Sequence, residues 1–429
     1  MIEGPTRRLR VGMVGMGMIF EETYRPALEK LHRRGFWTPQ TGHVAVELTA
    51  VATRTGIRAE KYRQQAGDRI GPFVSVTEPD AVRKLLEVGV DVVCVASPDD
   101  RHYPAARLAL AMGKHVLLEK PSVLRLQELD DLLQLAQDNG ALAKVVYHKL
   151  FDPDHKRLRT LVADHVLRHV NNGYCSLLEP KQISQKQFAE WISGRNPGSY
   201  VAVHYVKLID FTFFHGTATR LARITATGQR GLVGEVHGPT WDSVQLRIVY
   251  VYPDGREAAF DIHTSWVNPD NFPGYVEQEV QFRFDNAVWN AHQRKRGVEV
   301  TIEGKTPTEY KITPNHHYNA CFLEPWGERS QRGYGIEAIE RFFEEVAYVE
   351  FGGPPQERAH RLAEMRALAY NDLSADRHTV AVVHALEEIL RRHLAGQSDA
   401  VVYVNHPRGG LVLAVPGREE LEVLYEPRV

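Results

Sequence analysis

At 429 residues the chain is too long for one ordinary core, and two domains are expected, with ample length to bury each. Hydrophobic residues make up 43% and charged residues 25%, and the formal charge is -2, a balance that gives no electrostatic reason to bind nucleic acid or an anionic membrane. The three cysteines, Cys94, Cys175 and Cys321, are odd in number and far apart, which argues against a disulfide framework or a zinc ribbon. With no apolar h-region in MIEGPTRRLR and no run of about 18 apolar residues, the expectation is a cytoplasmic protein.

The first informative stretch is Leu9 to Phe20, LRVGMVGMGMIF. Leu9, Val11, Met13 and Val14 form the apolar run of a strand buried on both faces of a parallel sheet, and Gly15-Met16-Gly17 breaks it. From Met18 onward Tyr24, Ala27, Leu28 and Leu31 recur at helical spacing, so the glycines stand at a strand-to-helix junction. Gly15 permits the tight turn, and Gly17 lacks the Cβ that would hold a pyrophosphate off the backbone. The N–H groups of the first helical turn, at Met18 and Ile19, would face the anion. Phe20 occupies the place of the usual third small residue, so the helix must cross its strand differently or turn that ring aside.

Residues 33–43 are polar and read as an inserted loop, and Val44 to Thr53 resumes a strand. Where a dinucleotide fold carries an acidic residue for the ribose, Ala52-Thr53-Arg54-Thr55 offers hydroxyls and a guanidinium. That equipment suits the 2′-phosphate of NADP, with NAD left possible and Arg54 alternatively a solvated loop charge. Helices over Arg58 to Gln65 and Pro79 to Val88 lead to a β-branched strand, Val90 to Ala96, which delivers Ser97-Pro98-Asp99 and a helix from His102 to Met112. That junction places Ser97, Pro98 and His102 on the ligand side of the sheet. Lys114 to Leu118 is a fifth strand, and it ends in Glu119-Lys120-Pro121, a charged pair held at the crevice by proline.

VGMVGMG at Val11 to Gly17, ASPDDRH at Ala96 to His102 and AMGKHVLLEKP at Ala111 to Pro121, followed by a helix and the strand Ala143 to Tyr147, resemble the Gfo/Idh/MocA family of oxidoreductases. The resemblance covers roughly the first third of the chain, in the right order. It implies an α/β fold with an N-terminal Rossmann domain, a doubly wound parallel sheet, and a C-terminal α/β domain with an open, largely antiparallel sheet. It also implies a nicotinamide cofactor, with Glu119 and Lys120 beside it, and a sugar, polyol or cyclitol-like substrate. The family's lysine that contacts both nicotinamide ribose and substrate falls on Lys120. The expected division is residues 1–148 for the dinucleotide domain and 149–429 for substrate binding and oligomerisation.

Helical periodicity over Gln185 to Ile192, a turn from Gly194 to Gly198, and a helix from Tyr200 to Phe214 follow. On that second helix the family keeps an Asp and a His one turn apart. With Leu208-Ile209-Asp210 setting the register, these fall on Val203 and Lys207, so the usual pair is absent. The helix face offers Tyr200, His204 and Lys207 instead. Lys120 and Lys207 converging on one desolvated site would lower each other's pKa and suit proton exchange. Equally, Lys207 is structural and His204 or a tyrosine carries the relay.

Beyond Leu221 the period becomes two, with strands over Ala222 to Thr227, Val244 to Tyr252, Glu257 to Trp266, Val276 to Phe284 and Val298 to Glu303, two of them joined at Pro253-Asp254-Gly255. An open sheet leaves a face to cover, which predicts a homo-oligomer, a dimer or tetramer. The basic cluster His292 to Arg296 reads as a solvated loop, and His263, His292 and His316-His317 lack the spacing of a metal site, so no metal is expected. Helices over Tyr334 to Phe351, Ala359 to Tyr370 and Thr379 to Leu394 precede a hairpin of Ala400 to Val404 and Leu411 to Val415. The leading reading is an NADP-preferring oxidoreductase. A glycoside hydrolase that oxidises and re-reduces its sugar on the same fold, and a cofactor-bound sensor that has lost activity, are the alternatives.

Overall fold

The computed structural model describes residues 7–182, 184, 191–233, 236, 238, 240–270, 272, 276–293, 300–301, 311–312, 315–405 and 409–427. Its contacts divide the chain into two units, one of Met1–Val123, Glu128–Phe151 and His317–Asp376, the other of Leu124–Gln127, Asp152–His316 and Arg377–Val429.

The first unit is built on β1 (Arg7–Val14), β2 (Phe36–Thr38), β3 (Gly42–Thr53), β4 (Val74–Thr77), β5 (Val92–Val95), β6 (His115–Leu118) and β7 (Ala143–Val145). They lie in the order β2-β3-β1-β5-β6-β7 with β4 beside β3, and every pairing except that of β2 is parallel. The chain builds outward from β1 on one side, then returns to build on the other. The order therefore reverses between β1 and β5, and their carboxyl ends form the switch point of a Rossmann sheet. Connecting helices are α1 (Arg25–Arg34), α2 (Ile57–Ala66), α3 (Ala81–Glu87), α4 (His102–Ala111) and α5 (Leu126–Asp138).

Two differences from the sequence reading have physical causes. Residues 33–43 are a hairpin and not a loop: Gly35 takes φ +56, where a Cβ would meet Val44 O at 2.4 Å, and Phe36 packs against the core. The division at 148/149 also meets a return of the chain. The stretch His317–Asp376 lies with the first unit, because α8 (Tyr334–Phe351) buries Ile336, Ile339, Phe342, Phe343 and Val346 in one core with Leu9, Val11, Met13, Phe20 and Tyr24. Its apolar stripe packs on the core of the first sheet; in chain order it follows α6 (Pro153–Ala163) and α7 (Val203–Ile209), which belong to the second unit.

A buried lysine ties that return in place. Lys144 is 0% exposed; its ammonium lies 3.2 Å from Asp372 Oδ2 and 3.6 Å from Glu345 Oε2, and it donates to Met365 O. Burying a charge this deeply requires such paired partners. The short helix α9 (Arg358–Arg366) carries Met365, one of the residues that hold it.

The second unit holds a nine-stranded sheet of β8 (Val170–Pro180), β9 (Arg220–Gln229), β10 (Ser243–Val251), β11 (Glu257–Asn268), β12 (Glu277–Phe284) and β13 (Val288–Ala291) with three strands from the end of the chain. Two short pairs, β14 (Val300–Thr301) with β15 (Lys311–Ile312) and β16 (Ala320–Leu323) with β17 (Arg329–Arg332), precede those strands, which are β18 (Val401–Asn405), β19 (Gly410–Ala414) and β20 (Glu422–Tyr425). The order is β13-β12-β8-β11-β10-β9-β18-β19-β20, antiparallel throughout except for β8 against β11. The terminal hairpin thus extends the sheet through β18 on β9. β8, a central strand, was missing from the sequence reading. Most of the segments expected at Gln185 to Ile192 and Val298 to Glu303 lie outside the described residues. The amphipathic helix α10 (Arg377–Leu394) buries Val380, Val383, Leu386, Ile389 and Leu390. The opposite face of the sheet carries Asn172, Tyr174, Arg247, Asp261, Gln281 and Arg283, and it is polar.

Candidate active site

The glycine turn leaves β1 at the switch point. Gly15 has φ +90, donates its N–H to Ala52 O at 2.9 Å, and would place a Cβ 2.5 Å from Ala96 O. No other residue fits there without displacing backbone. Gly17 differs: its φ is ordinary, and among the described residues beyond its chain neighbours the only atom within 4 Å of an added Cβ is the Arg58 guanidinium nitrogen at 3.6 Å. The fold itself does not demand a glycine at this position, so the open face in front of it is available to a ligand. Met18 and Ile19 begin the helix half-buried, and Ile19 turns its side chain onto the core. A dinucleotide's pyrophosphate therefore fits the turn on space, at the start of a helix.

Phe20 shows how the missing small residue is accommodated. The helix opens as a π-turn over Phe20–Tyr24, and the Phe20 ring is 0% exposed and packs edge-on to Tyr62 at 5.3 Å. It lies in the core and does not block the turn.

At the end of β3, Thr53 accepts a hydrogen bond from Gly56 N at 3.0 Å, which shapes the loop, while Arg54 and Thr55 are exposed. The sequence reading passed over Arg58. It stands in the first turn of α2 and donates to Met16 O at 3.3 Å, which brings its guanidinium to the glycine turn. Its place one helical turn beyond Arg54 was legible, but its contact 42 residues back was not.

Ser97 and Pro98 are half-buried on the loop after β5. His102 is 1% exposed, with Nδ1 2.8 Å from Pro121 O and Nε2 2.9 Å from Ser97 O. Both ring nitrogens are thus engaged by backbone, and the residue braces two loops of the edge against each other. Ser122 donates to Asp376 Oδ2 at 2.5 Å and Tyr147 to Oδ1 at 2.7 Å, a buried carboxylate that fixes the segment carrying Lys120. Lys120 itself is half-buried, and Glu119 points inward, 5% exposed.

The Glu119 carboxylate lies 3.6 Å from His148 Nε2, and its Oε1, both His148 ring nitrogens and the Tyr24 hydroxyl have no hydrogen-bond partner among the described residues. Burial alone would push the Glu119 carboxyl up, but His148, then Lys120 and His102, hold it below the usual carboxylate range. Burial, with the charge of Glu119, pushes the Tyr24 phenol well up. Glu119, expected at the cofactor, has a buried side chain whose charge interacts with that of Lys120.

In the second unit α7 is flanked by π-turns over Gly198–Ala202 and Asp210–Phe214. Tyr200 is half-buried between Trp191 at 5.3 Å and Trp266 at 6.2 Å, His204 is half-buried, and Lys207 is 1% exposed. Val203 is buried, so no carboxylate stands at that position. The His263 ring packs on Tyr174 at 5.0 Å and His292 lies 3.6 Å from Glu279. Among the described residues no group of three His, Cys, Asp or Glu could hold a metal ion, and no helix is long and apolar enough to cross a membrane.

Residues 9–147 match the model of GFO_IDH_MocA, an oxidoreductase family with an NAD-binding Rossmann fold. The chain is similar to D-glucoside 3-dehydrogenase of Escherichia coli (strain K12), 28% identical over 162 residues that cover 38% of this chain and 41% of that protein. It is also similar to scyllo-inositol 2-dehydrogenase (NADP(+)) IolW of Bacillus subtilis (strain 168), 29% identical over 99 residues, 22% of this chain and 28% of that one. The matched stretch thus spans less than half the length of these curated relatives. Among solved structures, an inositol dehydrogenase homolog from Azotobacter vinelandii, complexed with NADH and myo-inositol, shares the fold with a TM-score of 0.61 at 18% identity, over 91% of this chain and 96% of that one.

Proposed function

With its first unit a Rossmann domain of the Gfo/Idh/MocA oxidoreductase family, we propose that this chain moves a hydride between a nicotinamide cofactor, NADP by preference, and a hydroxyl of a sugar, polyol or cyclitol. The observation that carries this reading is Gly17. It is a glycine that the fold does not need, in front of a helix start, with a guanidinium beside it. When bound, the nicotinamide supplies the hydride acceptor or donor.

The residues of the chain then take separate tasks. Backbone N–H groups at Met18 and Ile19 face the pyrophosphate, and the loop of Ser97 and Pro98 lines the sheet edge beyond it. Arg54 and Arg58 receive the 2′-phosphate, since a guanidinium pairs a phosphate with two parallel N–H donors. Lys120, on a segment anchored through Ser122 to Asp376, orients the reacting hydroxyl and the nicotinamide ribose. The names of the relatives, which include a glucoside dehydrogenase and an NADP(+)-dependent inositol dehydrogenase, support the substrate class and the cofactor preference. The polar outer face of the second sheet suits a wet self-association surface, so a homo-oligomer remains part of the proposal.

The test is fluorescence titration of NADPH and NADH against the native protein, Arg54→Ala and Arg58→Ala. Loss of one charge-assisted contact costs about 1.5–3 kcal/mol, so each variant should weaken NADPH roughly 10- to 100-fold and leave NADH within about threefold. Native preference for NADH would end the NADP assignment and leave the redox reading standing. Failure to bind either nucleotide would end both.

A further inference from the structure

The outer face of the second sheet holds a cavity of about 370 Å³, and strand register shows why it forms there. Two rows of side chains cross it. One runs Arg247, Asp261, Tyr174 and Gln281 over β10, β11, β8 and β12, each residue opposite the next. The other, two positions along each strand and so on the same face, runs Ala259, Asn172 and Arg283 over β11, β8 and β12. Ala259 offers only a methyl among long neighbours, so the surface sinks at that point, with the first row along one side and Arg283 at one end. All of these residues belong to the second unit.

The two arginines of the cavity are not equivalent. Arg247 stands directly opposite Asp261, with Nη1 3.8 Å from Oδ1, the opposite-charge pair by which neighbouring strands support each other. Arg283 faces Asn172 on one side and Val288 on the other, so no such pair explains its charge. Its Nη1 donates to Asn290 Oδ1 at 3.2 Å and to Phe282 O at 3.3 Å, and its Nη2 to Gln281 Oε1 at 3.2 Å. Every one of these acceptors is neutral, and among the described residues no carboxylate pairs with it. A guanidinium has five N–H donors, so two remain once these three bonds are made. The side amides hold the fork in place, which lowers the ordering cost of receiving an oxyanion. An arginine serving solubility alone would need no such bracing.

The remaining walls suit hydroxyls. The Asp261 carboxylate accepts, the Asn172 amide donates and accepts, and the Tyr174 hydroxyl does either. We propose that this cavity is a binding site for a small polyhydroxylated molecule carrying one oxyanion, a sugar phosphate or a sugar acid, with the oxyanion on Arg283 and the hydroxyls along Asp261, Tyr174 and Asn172. One oxyanion follows from one uncompensated guanidinium, since Arg247 already has its carboxylate. Binding makes and breaks no covalent bond. The second unit forms the site alone, so it stands or falls apart from the redox reading. A second copy seated on the same face would have to supply the oxyanion from its own carboxylate, which makes it the rival occupant.

The experiment is isothermal titration of the full chain at fixed ionic strength with glucose 6-phosphate, gluconate, inorganic phosphate and myo-inositol, beside sedimentation velocity of each preparation. Arg283→Gln removes the charge and keeps an amide for the neighbouring acceptors, and Ala259→Leu fills the floor and keeps every charge. Arg223→Gln is the control, since that guanidinium pairs with Glu257 and does not line the cavity. The expected result is one glucose 6-phosphate or gluconate bound per chain, at least about tenfold tighter than inorganic phosphate or myo-inositol, and the tighter of the two names the head group. Arg283→Gln and Ala259→Leu should each weaken that binding by roughly 10- to 100-fold and Arg223→Gln by less than about twofold. Melting temperatures should stay within about 3 °C of native. Failure of both sugar anions to bind native protein overturns the proposal, as does binding that neither cavity variant weakens or that inorganic phosphate matches. A dimer that dissociates in Arg283→Gln while no probe binds gives the cavity to a second copy and overturns it too. Absence of nucleotide binding with this pattern intact fails the redox reading alone.

Discussion

Gly15 and Gly17 are two residues apart, and alanine should damage them in opposite ways. At Gly15 the backbone sits at φ +90, and an added Cβ would stand 2.5 Å from Ala96 O and 2.8 Å from its carbonyl carbon. Those are backbone atoms at the end of β5, held by Ala96 N donating to Val14 O at 2.8 Å, so relief means parting β1 from β5. The left-handed conformation costs a non-glycine residue roughly 1–2 kcal/mol, and the displaced backbone should bring the total to about 2–4 kcal/mol. For a unit of this size that lowers the melting temperature by roughly 5–15 °C. At Gly17, among the described residues beyond its chain neighbours, only the Arg58 guanidinium lies within 4 Å of the new methyl, at 3.6 Å. Gly17→Ala should therefore fold as well as native, or better by about 0.4–1 kcal/mol through the less flexible unfolded chain. The methyl would nevertheless lift a pyrophosphate off the helix N–H groups, a loss of about 1.5–3 kcal/mol and so of roughly 10- to 100-fold in affinity. Thermal melts and NADPH fluorescence titrations on the same preparations separate the two effects. Native affinity in a stable Gly17→Ala protein would refute the pyrophosphate cradle, and an unchanged melt for Gly15→Ala would refute the steric account of the turn.

Two further outcomes concern buried charge. His384 is pushed down to about 4, by burial first and then by Arg125. Between that value and the ordinary histidine value the unfolded chain binds the extra proton, so stability present above pH 6.5 is lost as pH falls towards 4, by roughly 2–3 kcal/mol. Urea midpoints at pH 7 and 4.5 should converge in His384→Gln; an unchanged difference between the two pH values would dismiss the linkage. Lys144→Met should strand Asp372 and Glu345, although Tyr370 and Asn371 still donate to Glu345, and cost about 3–5 kcal/mol in melts near neutral pH. A variant as stable as native would mean that this lysine is dispensable to the return of the chain.

Local pattern was enough for much of the first unit. A buried β-branched run, two glycines and a helical stripe sit within about 20 residues of each other, and strand and helix periods are read from neighbours two, three or four positions away. The same holds for Glu119-Lys120-Pro121 at the end of a strand, for α8 as a helix and for the hairpins of the second sheet. What those periods could not carry was partnership. The stripe on Tyr334–Phe351 announces a buried helix but not that it covers the first sheet, since any apolar core would satisfy it. Glu119 reads as a crevice residue from its position, and only the packed structure shows it buried beside His148. Arg58 reaches Met16 across 42 residues, and His378 reaches Asp210 across 168. Such pairs pay loop-closure entropy that only the assembled core can offset. Residue identities and local spacing therefore determined the elements and the glycine turn, and tertiary packing decided which charged groups meet.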